Sequence, residues 1–237
     1  MENEKHKNTT SLFECLGEQG KLPSLSESFW TSIFAVFLLH LSHTANGTTQ
    51  INVWHCKDAS TPPRQCKQPY YKLREGKPFM VTGLAIENLG VEVKYLTKEW
   101  IDVCGVVDPG IGGIKPDIVL RLPSASMGKA KYVLIENKIR YGTPLSENQK
   151  KEYPDLINFL NGQGIQCEYL ILQSVSCDNA FFGGLQFLQR KLDDKFGILF
   201  WEYILKLMEK TNFRPAGLDI ASWVKRYTDD FNTECEV

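Results

Sequence analysis

Residues 132–138, Tyr-Val-Leu-Ile-Glu-Asn-Lys, end an otherwise apolar run with a carboxylate and an ammonium. In an extended strand successive side chains alternate between faces. Glu136 and Lys138 therefore share one face, and Val133 and Ile135 occupy the other. Burying that end of the strand is costly unless the charges find partners. Any fold for this chain must place the run in a sheet and provide for Glu136 and Lys138 together.

The segment before it begins Lys115-Pro116-Asp117 and continues with Ile118, Val119 and Leu120. The pattern predicts strands over 116–122 and 131–139, joined by a short polar loop at 123–130. If these strands pair, Asp117 lies beside Glu136. Two adjacent carboxylates repel unless a cation lies between them. Mg2+ takes oxygen ligands, retains several waters and commonly uses one or two carboxylates. Lys138, on the same face, is then placed to hold a water or to stabilise developing negative charge. Plainer readings stand beside this one. Asp117 can open a strand after a proline turn, and Glu136 with Lys138 can form a solvated pair on an edge strand, worth little.

The rest of the chain sets the frame for that strand pair. Ser24-Leu25-Ser26-Glu27 has the form of a capping box. The helix it opens would bury Phe29, Trp30, Ile33, Phe34, Phe37 and Leu41, which recur at helical spacing. Extended runs are predicted over 50–56, 79–88, 91–96 and 100–107. Downstream the pattern alternates: helix 146–160 with Pro154 expected to kink or divide it, strand 168–174, helix 187–195, strand 198–200, helix 201–210 and a C-terminal helix within 211–237, at 218–231. This is an α/β layout with helices packed on a central sheet. A length of 237 residues suits one large domain, 1–237, with its core over 24–205. The β-rich segment 50–107 is a candidate substrate-selecting insertion.

Composition narrows the function classes. The most apolar stretch, 29–41, is too short and too interrupted by Ser32 and His40 to span a bilayer, so no membrane association is expected. Seven cysteines, an odd number, read as reduced thiols of a cytoplasmic protein. A net charge of −1 argues against indiscriminate coating of nucleic acid, though not against a local basic channel. The sequence contains no P-loop, no G-x-S-x-G elbow and no H-E-x-x-H. All four histidines precede residue 56, which disfavours a histidine-centred mechanism.

Pro116-Asp117, a spacer and Glu136-Asn137-Lys138 resemble the PD-(D/E)xK nuclease superfamily. The likeness extends over Val133 to Ile139 and to Gln149 and Tyr153 on the following helix, at i and i+4. In one branch of that superfamily an I-E-N-K-I strand precedes a helix with this Gln and Tyr, and the chain opens with a helix whose first turn carries a Glu. Glu27 occupies that place, followed by Ser28 where the family usually has Asn. The resemblance spans roughly 24–205, with its strong motifs confined to 115–153.

The resemblance implies a restriction-endonuclease-like fold and Mg2+-dependent hydrolysis of phosphodiester bonds, with Mn2+ able to substitute and DNA as the expected substrate. Asp117 and Glu136 would hold the metal with the Asn137 carbonyl, and Glu27 would contribute to a second metal or a metal-bound water. Lys138 would orient the attacking water. Gln149 would sit at the rim, on substrate or Lys138, with Arg140, Lys150 and Tyr153 as substrate contacts. Equally plain readings make Glu27 a capping partner, Gln149 and Tyr153 a polar surface stripe, and Arg140 and Lys150 solvated charges. Double-strand cutting by one site per chain would call for a homodimer or an activating partner, in a defence, restriction or mobile-element protein. The rival reading is a catalytically silent module of the same fold that binds nucleic acid or a protein partner, with 181–184 (Phe-Phe-Gly-Gly) as an exposed docking loop.

Overall fold

The computed structural model describes residues 27–43, 50–56, 73–81, 84, 89–91, 116–123, 130–138, 145–173 and 179–217. In chain order these form α1 (Glu27–His43), β1 (Gln50–Ile51), β2 (Trp54–Cys56), β3 (Leu73–Glu75), β4 (Phe79–Met80), β5 (Leu89–Val91), β6 (Ile118–Pro123), β7 (Ala130–Lys138), α2 (Glu147–Gly162), β8 (Cys167–Gln173), α3 (Asn179–Leu192), β9 (Phe196–Phe200) and α4 (Trp201–Lys210). One-turn 3-10 helices cover Asp193–Lys195 and Pro215–Gly217.

Seven strands form one mixed sheet in the order β3-β2-β9-β8-β7-β6-β5. β7, β8 and β9 run parallel, while β5, β6 and β2 are antiparallel to their neighbours. A parallel pair needs a crossover, and α2 and α3 supply the two. Because β7, β8 and β9 step in one direction across the sheet, crossovers of the same hand put both helices on one face. That face buries Leu134, Tyr169, Ile171, Phe196 and Ile198 against Tyr153, Ile157, Leu160, Leu185 and Leu188. The opposite face carries Val133, Ile135, Leu170, Leu172 and Leu199, covered by α1 and α4. Trp30 and Phe34 of α1 meet Trp201 of α4 edge-to-face, with centroids 5.4 and 5.8 Å apart.

The expected α/β layout with a central sheet between helices is therefore present, with several local corrections. The run 50–56 is two short strands: β1 pairs with β4 in a separate two-stranded sheet, and β2 joins the main sheet. Of the predicted run 79–88, residues 79–80 form β4, while 82–83 and 85–88 lie outside the described residues. Residues 54–56, 73–75 and 89–91 of the 50–107 segment are strands of the main sheet itself. α2 passes through Pro154 without division, since the Ser146 capping box starts it and its buried side chains hold it on both sides of the proline. The 181–184 segment is helical, inside α3, and is not a loop. Residues 211–217 form a turn and a 3-10 helix, while the predicted helix at 218–231 and the strands over 92–96 and 100–107 lie outside the described residues.

Gly197 on β9 lies where Val53 and Leu170 close over the strand, and a Cβ there would overlap Val53 and press on Leu170. Alanine normally improves on glycine within a strand, but overpacking a close-packed core commonly costs about 1–3 kcal/mol. Gly197→Ala should therefore lower the urea midpoint. A midpoint equal to or above that of the unmodified chain would show that Val53 yields freely.

Candidate active site

The site begins with strand register. Ile118 is paired with Ile135 and Val119 with Leu134. Continuing that register by one residue puts Asp117, at the mouth of β6, opposite Glu136. Asp117 Oδ2 accepts the backbone N–H of Asn137 at 2.6 Å, which ties the carboxylate to β7.

Glu136 is only 4 % exposed. Its Oε1 receives Lys138 Nζ at 2.8 Å and the side-chain amide of Gln149. Its Oε2 accepts the Tyr153 hydroxyl at 2.9 Å. Gln149 is also the reciprocal partner of the helix cap: Ser146 N–H donates to Gln149 Oε1 at 2.9 Å, and Gln149 N–H donates to Ser146 Oγ at 3.1 Å. One amide side chain thus closes the first turn of α2 and delivers it onto the buried carboxylate. The Tyr153 ring stacks on Tyr169 with centroids 4.6 Å apart. Burial, then the charge of Glu136, holds both phenols far above their ordinary pKa, so Tyr153 stays protonated and remains a donor.

Asn137 points the other way. Its amide donates to Thr31 Oγ1 at 3.0 Å and accepts from Trp201 Nε1 at 2.9 Å. Its backbone holds Asp117 while its side chain holds α1 and α4. Gln173 ends β8 in register with Lys138 and is buried beside the site.

Among the residues singled out in the sequence, Asp117, Glu136, Lys138, Gln149 and Tyr153 are therefore brought together. Gln149 bonds Glu136, not Lys138. Tyr153 is not part of a surface stripe: it is buried, because its ring completes the core beneath the carboxylate. Lys150 faces outward, paired with Glu147 at 2.9 Å. Glu27 is the first residue of α1, while the placement of its side chain and all of Arg140 lie outside the description. Thr31, Trp201, Tyr169 and Gln173 were not legible as neighbours of the site. The one signal was Gln173, a polar residue closing an apolar strand as Lys138 does.

Two carboxylates on opposed positions of a strand pair are the kind of oxygen donors a hard divalent cation takes while keeping waters and accepting further oxygens from substrate. Among the described residues, no group of three or more His, Cys, Asp or Glu side chains gathers around a common point. Among the described residues the donor set is thus these two carboxylates, oxygen ligands of the kind Mg2+ takes. No protein-family model, curated protein or solved structure matches the chain.

Two measurements test this geometry. Ordinary phenols titrate near pH 10. Tyr153 and Tyr169 keep their protons above that pH while the unfolded chain loses them, so stability present below about pH 10 falls as pH rises further. A spectrophotometric titration should plateau short of the nine phenolates the sequence allows until the chain unfolds. Separately, Trp201→Phe removes the indole donor to the buried Asn137 side-chain oxygen, for which about 1–3 kcal/mol of stability should be lost in denaturant titration.

Proposed function

We propose that this protein is a Mg2+-dependent nuclease of restriction-endonuclease-like fold, acting on phosphodiester bonds, with DNA the expected substrate. The observation that carries this reading is the β6–β7 register, which continued by one residue sets Asp117 opposite Glu136, with the Asp117 carboxylate tied to β7 and Lys138 paired with Glu136. Asp117, Glu136 and the Asn137 carbonyl would hold the ion. When bound, Mg2+ offsets phosphate charge and polarises the scissile bond.

The chain's own groups do the remaining work. The Asn137 N–H fixes the Asp117 carboxylate. Gln149 and Tyr153 hold the orientation of Glu136. Lys138 is the cation of the set: beside Glu136, its ammonium would orient a water or stabilise charge developing on the phosphate oxygens. Glu27, at the start of α1, is a candidate further acid.

One observation favours a second reading. Glu136 accepts from three side chains of its own protein, so the network is closed without any ligand. Such a carboxylate can serve the fold alone, in a silent module that binds nucleic acid or a protein partner.

The two readings part on two variants. In the nuclease, Lys138→Ala keeps Mn2+ binding by calorimetry but slows plasmid cleavage about 10²–10³-fold, the scale of a lost transition-state donor. Asp117→Ala loses metal binding and cleavage together, because a single carboxylate competes poorly with the hydration shell of Mg2+. Absence of cutting by the unmodified protein on plasmid, linear, single-stranded DNA and RNA, in Mg2+ or Mn2+, would leave the silent module in its place.

A further inference from the structure

A groove of about 520 Å3 runs between α2 and α3, within the size range of ligand sites. From α2 it takes Glu147, Lys150, Lys151 and Asp155, and from α3 Gly183, Phe187 and Lys191. Its α2 wall extends to Asn158, about 16 Å of helix at 1.5 Å per residue. The wall starts in the same turn whose Gln149 bonds Glu136. The groove lies on the outward face of α2, and the candidate site lies under the inward face of the same helix.

Gly183 is the informative residue. It lies in the interior of α3, where glycine is less favourable than alanine. Its φ is not in the left-handed region, and a Cβ there would meet nothing within 4 Å. Among the described residues, neither backbone conformation nor a neighbour accounts for the missing side chain. Its neighbour Gly184 differs: a Cβ there would press on Leu145 at 3.2 Å, so close helix packing explains it. Gly162 is also open, but it is the last residue of α2 and not an interior one. A bare backbone inside a groove is what close approach by an outside molecule requires.

The groove's chemistry indicates which molecule. Three lysines line it against two acids. Lys150 is paired with Glu147, but that carboxylate side chain is 89 % exposed, so the pair exchanges easily with another anion. Lys191 Nζ sits 5.7 Å from the centroid of the Phe187 ring, and Phe187 is one of the few large apolar side chains exposed. An exposed aromatic among ammonium groups binds a phosphate chain whose bases have free faces for stacking, which unpaired strands have and duplexes lack.

We propose that the α2–α3 groove is the path of a single strand of nucleic acid, with Lys150, Lys151 and Lys191 on phosphates, Phe187 beneath a base and Gly183 as the bare floor. The ligand class rests on the nuclease reading; the groove itself does not. The test is fluorescence anisotropy of a labelled oligodeoxythymidine and of a duplex of equal length, in EDTA at low salt. The full chain should bind the single strand at least about tenfold more tightly than the duplex. A Cβ at 183 meets no described neighbour within 4 Å, so the melting temperature of Gly183→Met should hold or rise while single-strand affinity falls about tenfold. Phe187→Ala should weaken the single strand more than the duplex. Three outcomes overturn the proposal: Gly183→Met binding as well as the unmodified chain, equal affinity for single strand and duplex, or polyglutamate competing as well as the oligonucleotide. Cleavage in Mg2+ separates the two readings. A protein that binds the strand through Gly183 but never cuts keeps the groove and loses the nuclease. One that cuts, with groove variants cutting at the unmodified rate at limiting substrate, keeps the nuclease and loses the groove.

Discussion

A carboxylate buried in the middle of an apolar sheet must be satisfied from within the protein. Glu136 sets that requirement, and much of the surrounding structure answers it. Its partners come from its own strand, through Lys138, and from α2, through Gln149 and Tyr153. Removing one partner of a buried charge commonly costs about 3–5 kcal/mol, since the remaining charge stays dehydrated. The position of α2 over the sheet is therefore tied to the charge it serves. Because Gln149 also closes the Ser146 capping box, the start of the helix and the orientation of the carboxylate form one hydrogen-bonded unit. Networks of this kind are strong when complete and costly when incomplete.

The alternation of β7 extends this control to the other side of the sheet. Glu136 and Lys138 face α2. Asn137, between them, faces α1 and α4 and is held by Thr31 and Trp201. The same Asn137 donates its backbone N–H to Asp117. Two helices that touch neither carboxylate in the described contacts thus set the backbone that positions one of them. The aromatic contacts of Trp201 with Trp30 and Phe34 lock that arrangement in the apolar layer. A residue between two chemically active neighbours is here the anchor of the strand, and strand alternation is the reason it can serve both faces.

The two crossover helices divide the work. Their inward faces complete the core and support Glu136, while their outward faces leave a groove edged by lysines. α2 contributes to both surfaces within one turn: Gln149 turns inward and Lys150 outward. A chain with a net charge of −1 can still present such a local cationic surface, because its charges are distributed unevenly.

Strand alternation was legible in the sequence. The pattern of 132–138 placed Glu136 and Lys138 on one face, the polar 123–130 segment pointed to antiparallel pairing with 116–122, and 201–210 read as a helix. Each of these depends on neighbours along the chain. The capping role of Gln149 is local too, yet no cap was expected at Ser146-Glu147-Asn148-Gln149, and nothing in that run hints that the same amide reaches Glu136. The FFGG run was misread as a loop because paired glycines usually punctuate a chain, whereas in α3 Gly184 permits close packing against Leu145. The division of 50–56 into two strands, the burial of Tyr153 against Tyr169 and the grip of Thr31 and Trp201 on Asn137 all join residues distant in sequence. The sequence by itself determined which groups would need partners, since burial of charge in an apolar strand is a local fact. Only the tertiary structure decided who those partners are, because hydrogen bonds across 17, 64 and 106 residues depend on which helix is packed on which face of the sheet.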